Sequence, residues 1–269
     1  MNLQKEKWEK MQRGGYFYTQ EKINEIVRKT LDRDICVFDD FERFFRRKFP
    51  LEGRVVLEIG FGGGWWLATP IKRGAYGVGF EVSREIIKRA EIAFQQAKLK
   101  DCKFYEVDER YFSILQPSSI DYIFEITVFQ HIDPEVTKRY IETAYEALKS
   151  DGVAILQFLM NDKNPYKNPF EGEGAVFYSA SEVDEMITTS NFIVERVYRS
   201  WEEGESHWNH YLLRKPRSRP DRLRLETRKR LCKIRRLFLQ KKEKIAKPII
   251  ADTYPKVHRN LFHGNQRLS

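Results

Sequence analysis

The 269-residue sequence predicts an α/β protein with a mainly parallel seven-stranded sheet and helices on both faces, flanked by an N-terminal helical cap and a basic helical C-terminal extension. Three observations carry that expectation. Apolar, β-rich runs alternate with helix-patterned segments long enough to act as crossovers. The first run, RVVLEIG, opens directly into a glycine cluster, Gly60, Gly62, Gly63 and Gly64. The next two runs end in acidic residues, where ligands of open α/β sheets collect.

Taken in order, residues 1–50 read as helical. TQEKINEIVRKTL begins at a Thr19 cap, and CVFDDFERFFRRKF repeats Phe38, Phe41, Phe44 and Phe45 at helical spacing before Pro50 ends the segment. Residues 51–215 hold seven candidate strands: RVVLEIG, YGVGFEV, KFYEVD, DYIFEITV, GVAILQFL, FIVERVYR and NHYLLRK. SREIIKRAEIAFQQAKLK and DPEVTKRYIETAYEALKSDG separate members of the first five as crossover helices, so these strands should be parallel. The last two, joined by SWEEGES, should form an antiparallel pair. Residues 216–269 open with Pro216 and Pro220 and turn basic.

Composition limits the functional classes. A 41% hydrophobic and 14% aromatic content suits a folded globular chain. Cys36, Cys102 and Cys232 lie far apart, without metal-ligand spacing, and an odd number cannot all pair; a reducing cytoplasm and no metal are expected. The polar N-terminus has no signal-like apolar core, and no run of about 18 apolar residues occurs. Charge is uneven. Arg214 to Lys247 carries sixteen Lys/Arg against three acidic residues, a surplus of thirteen that exceeds the chain's net +9 and leaves the remainder at −4.

The glycine turn indicates a ligand brought close to bare backbone. Counted from Gly60, a dinucleotide GxGxxG would need glycine at Trp65; the pattern present is GxGxG, and no GKS or GKT follows. NAD and ATP are disfavoured. Glu81, 21 residues after Gly60, can accept both ribose hydroxyls, and Asp108 reaches the same edge from the third strand. The three strand ends point at one nucleoside.

On VLEIGFGGG, GVGFEVS, EVDE and IDYIFEITVFQHIDPEVTKRYIETAYEALKSDGVAILQF, residues 51 to 215 resemble the class I S-adenosylmethionine-dependent methyltransferases, in their small-molecule-type branch. The resemblance implies S-adenosylmethionine as cofactor. Gly60, Gly62 and Gly64 would line its methionine side, Glu58 would brace the loop, Glu81 would hold the ribose, and Asp108 would sit beside the adenine. Phe61, Trp65 and Trp66 are bulkier than is usual at their positions in that family.

After the fourth strand, His131 and Glu125 are the evident proton acceptors and the candidate catalytic residues; His131 could deprotonate a hydroxyl or simply pack or cap the following helix. EITV replaces the [DN]PP[YF] motif of amino-methylating enzymes, and no cysteine stands where RNA cytosine methylation needs one, so nucleic acid is disfavoured as substrate. The expected reaction is O-methylation of a sugar, glycolipid or other small-molecule acceptor. The alternative is an RNA methyltransferase or RNA-binding module working through the basic arm. Residues 161–186, together with Trp8, Tyr16, Phe17 and Tyr18, could cover the acceptor pocket.

In the tail, Leu223, Leu231, Ile234, Leu237, Phe238 and Ile245 share an arc of about 120° on a helical wheel, flanked by cations. Such a helix can contact an anionic membrane, bind RNA phosphates, or dock its stripe on the body. A location in the cytoplasm, peripheral on the inner face of the membrane, follows from the first reading.

Overall fold

The structure is a computed structural model that describes residues 18–107, 115–163, 175–203 and 206–243, of which 201–203 and 236–243 by backbone alone. Asp108, Trp8, Tyr16 and Phe17 lie outside the described residues, as does 164–174 of the expected cover over the acceptor pocket.

Seven strands form one sheet in the order β3-β2-β1-β4-β5-β7-β6. They are β1 (Val55–Ile59), β2 (Tyr76–Glu81), β3 (Cys102–Glu106), β4 (Ile120–Glu125), β5 (Leu148–Met160), β6 (Ile193–Glu203) and β7 (Ser206–Arg214). The first five run parallel, and β7 is antiparallel to both β5 and β6. Because β1 has β2 on one side and β4 on the other, strand order reverses at β1, which opens a crevice at the carboxyl edge.

Two elements exceed the sequence expectation. β5 starts at Leu148, since Ile120 of β4 already pairs with it ahead of a bulge. The SWEEGES connection is largely strand: β6 and β7 pair through Trp201 opposite Trp208 and Glu203 opposite Ser206.

One sheet face packs on α1 (Gln20–Asp32), α2 (Val37–Phe45), α3 (Trp65–Lys72) and α4 (Arg84–Gln96). The other packs on α5 (Pro134–Ala147) and α6 (Ala180–Thr189). Thr19 caps α1 through Lys22 N, Ser83 caps α4, Asp133 caps α5 ahead of Pro134, and Ser179 with Glu182 forms a capping box on α6. Phe38, Phe41 and Phe45 of α2 are buried against Tyr122 and Phe124 of β4, so the N-terminal helices share the core of the sheet. The basic helix α7 (Arg219–Glu243) lies against α6. No described helix is long and apolar enough to cross a membrane.

Candidate functional site

The carboxyl ends of β1, β2 and β4 meet around the glycine turn. Gly60, Gly62 and Gly64 all hold positive φ, +69°, +53° and +80°. Gly60 is the most constrained: a Cβ there would stand 2.3 Å from Cγ2 of Val128 in the segment after β4. A Cβ on Gly62 would stand 3.3 Å from the Tyr18 hydroxyl. Two of the three bulky departures, Phe61 and Trp65, have structural partners. Phe61 is buried and stacks on Phe104 at 4.5 Å, filling the space left by Gly79, and Trp65 stacks on Tyr18 at 5.7 Å.

Three carboxyls sit beneath this turn, all buried. Glu81 accepts from Gly62 N at 3.2 Å on Oε2 and from Val82 N and Ser83 N at 2.8 and 3.1 Å on Oε1. It ties the end of β2 to the glycine turn, and of the roughly four acceptor sites of a carboxylate these bonds use three. Burial pushes its carboxyl up, against the pull of those N–H groups. Glu58 is 2% exposed, and its Oε2 has no hydrogen-bond partner among the described residues. Burial first, then the charges of Glu81 and Glu125, drive its carboxyl well above the usual range.

Glu125 is fully buried. Its Oε1 accepts from Val128 N and Phe129 N at 2.5 and 3.1 Å, and its Oε2 from Gln157 N at 3.1 Å. Burial raises it to about 7. All three of these bonds are to backbone, so Glu125 shapes the segment that presses Val128 against Gly60.

The opposite edge of the sheet shows what this arrangement omits. There the buried Asp121 is paired with Arg54 at 2.9 Å and Lys149 at 2.7 Å and accepts from Val55 N. Among the described residues, no Lys or Arg pairs with Glu58, Glu81 or Glu125. Uncompensated buried acid is costly unless a partner arrives, so the carboxyl edge suits a ligand carrying positive charge and hydroxyls. S-adenosylmethionine has both: a sulfonium, an ammonium and a ribose. The residues present fit it, with Glu58 and Glu81 offering acceptors and the glycine turn offering close backbone approach.

Tyr18 completes this half of the site. Its carbonyl accepts from Arg89 of α4, its ring covers the glycine turn, and burial with the Glu81 and Glu58 charges nearby raises its phenol above the ordinary range.

His131 ends a short 3-10 turn, Phe129–His131, and is half-buried. The Gln130 amide nitrogen lies 2.9 Å from its Nε2, an arrangement in which the amide donates and the ring proton sits on Nδ1. Asp133, not His131, caps α5. Sequence reasoning missed a neighbouring polar cluster. Gln157 of β5 accepts from Thr127 N at 2.7 Å, and its amide lies 3.4 Å from Nε2 of His210 on β7, which is itself 2.9 Å from the Ser200 hydroxyl on β6. His210 is 5% exposed, and burial lowers it to about 4. Phe44 of α2 covers it, stacked on Tyr198 at 4.0 Å. The alternation of GVAILQFL did place Gln157 within a strand, but nothing in the sequence set it opposite His210.

Fold, glycine turn and buried acids resemble those of the class I, Rossmann-like S-adenosylmethionine-dependent methyltransferases. Residues 56–152, which span β1 into β5, match the family described as "Methyltransferase domain". The chain is 23% identical over 166 residues to the ubiquinone biosynthesis O-methyltransferase of Psychrobacter arcticus, covering 61% of this chain and 63% of that protein's length. Two solved structures share the fold. An S-adenosylmethionine-dependent methyltransferase from Mesorhizobium loti has a TM-score of 0.53 at 14% identity, covering 65% of this chain and 97% of that one. The [4+2]-cyclase SpnF has a TM-score of 0.56 at 14% identity, over 68% and 81%.

Proposed function

We propose that the protein transfers a methyl group to a hydroxyl of a small-molecule, sugar or glycolipid acceptor, with His131 as the base. The observation that carries this reading is the place of His131: it stands three residues beyond Val128, which touches the glycine turn, on a segment fixed by Glu125 and Gln157. The O-methyltransferase named above supports hydroxyl as the acceptor class.

The cofactor, when bound, supplies a methyl carbon on a sulfonium. The chain's task is then orientation, plus removal of a proton from an acceptor hydroxyl. A neutral imidazole with its proton on Nδ1 has Nε2 as its basic nitrogen, so an acceptor hydroxyl would take the place of the Gln130 amide there. Glu125, with both oxygens turned to backbone N–H groups, positions this segment.

His131→Gln should lower turnover by about 10² to 10⁴ while cofactor affinity, measured by calorimetry, stays within a few-fold. Unchanged turnover would make His131 structural. For the acceptor, incubation of cell extract with methyl-labelled cofactor should place label in the small-metabolite, glycan or lipid fractions. Label confined to RNA would overturn the reading.

A further inference from the structure

We infer that α7 is a membrane-docking helix whose outward face takes an anionic phospholipid surface. The helix is anchored by one side only. Asp221 is buried and accepts from both terminal nitrogens of Arg214 at 2.7 and 3.1 Å, Leu225 is 4% exposed, and Lys229 donates to Asn191 Oδ1 at 2.6 Å. Cys232 lies 4.0 Å from Asp184 on the same side. At 100° per residue these anchors span an arc of about 80°.

The opposite arc holds Leu223, Leu231 and Ile234, which are 69%, 60% and 50% exposed. Large apolar side chains aligned on the solvent side of a helix that is already docked have no role in holding it to the body. These three members of the stripe expected from the sequence therefore face outward, the side chains of its other members, Leu237, Phe238 and Ile245, lie outside the described part of the structure, and Leu225, outside that stripe, makes the body contact.

Charge selects the occupant. Exposed Arg222, Arg230 and Lys233 border the stripe on one side, and Arg224 and Arg235 border it on the other. An apolar strip between two rows of cations matches acyl chains below anionic headgroups. A second copy of the chain would bring like charges together. Single-stranded RNA would meet three aliphatic side chains in place of the aromatic platforms that stack bases.

Sedimentation of the full chain with vesicles tests this inference. Binding is expected to vesicles of phosphatidylcholine containing about 30% phosphatidylserine and not to phosphatidylcholine alone, and it should weaken as salt rises from about 0.1 to 0.5 M. Leu223→Gln, Leu231→Gln and Ile234→Gln together should lower partitioning roughly tenfold or more. Arg222→Gln with Arg224→Gln should lower it about fivefold per charge. Neither set touches the anchors, so the unfolding midpoint should not move. Absence of binding to anionic vesicles at low salt overturns the inference, as does a triple variant that binds like the parent. Sedimentation as a dimer that the triple variant dissolves, or salt-sensitive binding to single-stranded RNA without vesicle binding, would assign the face to those partners instead.

Discussion

Gly60→Ala separates the two physical reasons for a glycine at the head of the turn. At φ +69° an alanine carries the left-handed penalty, about 1–2 kcal/mol. Its Cβ would also stand 2.3 and 3.0 Å from the two γ-methyls of Val128, and relieving such overpacking costs about 1–3 kcal/mol more. The total is about 2–5 kcal/mol, a large share of ordinary domain stability. Val128→Ala removes both γ-methyls and leaves only a 3.2 Å contact to Cβ, which a small shift absorbs. In that background only the backbone penalty should remain. Urea unfolding of the parent, both single variants and the double variant should therefore yield a favourable coupling of about 1–3 kcal/mol. Calorimetric cofactor affinity should fall in Gly60→Ala and recover in part in the double variant. Strictly additive stabilities would refute the reasoning, since Val128 would then not be what excludes a side chain from Gly60.

Three further outcomes follow from the buried groups. Glu81→Gln turns an amide N–H₂ toward backbone donors and removes acceptor capacity, so cofactor affinity should fall roughly tenfold or more; calorimetry at the affinity of the parent would count against a binding role. Burial and neighbouring acids push the Glu58 carboxyl toward its neutral form, so binding of a cationic ligand, which favours the ionised form, should release protons. Heats measured in buffers of different ionisation enthalpy should show this release in the parent and not in Glu58→Gln, and buffer-independent heats in both would contradict it. Burial lowers His210 from 6.5 to about 4, so below pH 6.5 the unfolded chain gains a proton that the native state refuses. Stability should therefore drop by about 3 kcal/mol between pH 6.5 and 4, a loss that His210→Gln should lack; parallel urea midpoints across that range would refute it.

The glycine turn and its buried acids were legible in place because they are local in the chain. The glycines, Glu58 and Glu81 lie at strand ends, where the alternation of strand and helix gives their position before any tertiary contact is known. Even so, their spacing could not show that Glu81 binds the Gly62 amide, nor that Glu58 is left without a partner while Asp121, at the other end of β4, holds two cations. The neighbouring polar cluster is assembled differently. Gln157, His210, Ser200 and Phe44 come from β5, β7, β6 and α2, and they meet only because β7 inserts antiparallel between β5 and β6 and α2 folds back over the sheet. No spacing along the chain encodes that meeting. The tail shows the same limit in reverse. Its periodicity identified an apolar stripe, yet which side of the helix meets the body is decided by Asp221, a single acid that Arg214 holds from the end of β7. Once that pair fixes the rotation of α7, Leu225 must turn inward and Leu223, Leu231 and Ile234 outward.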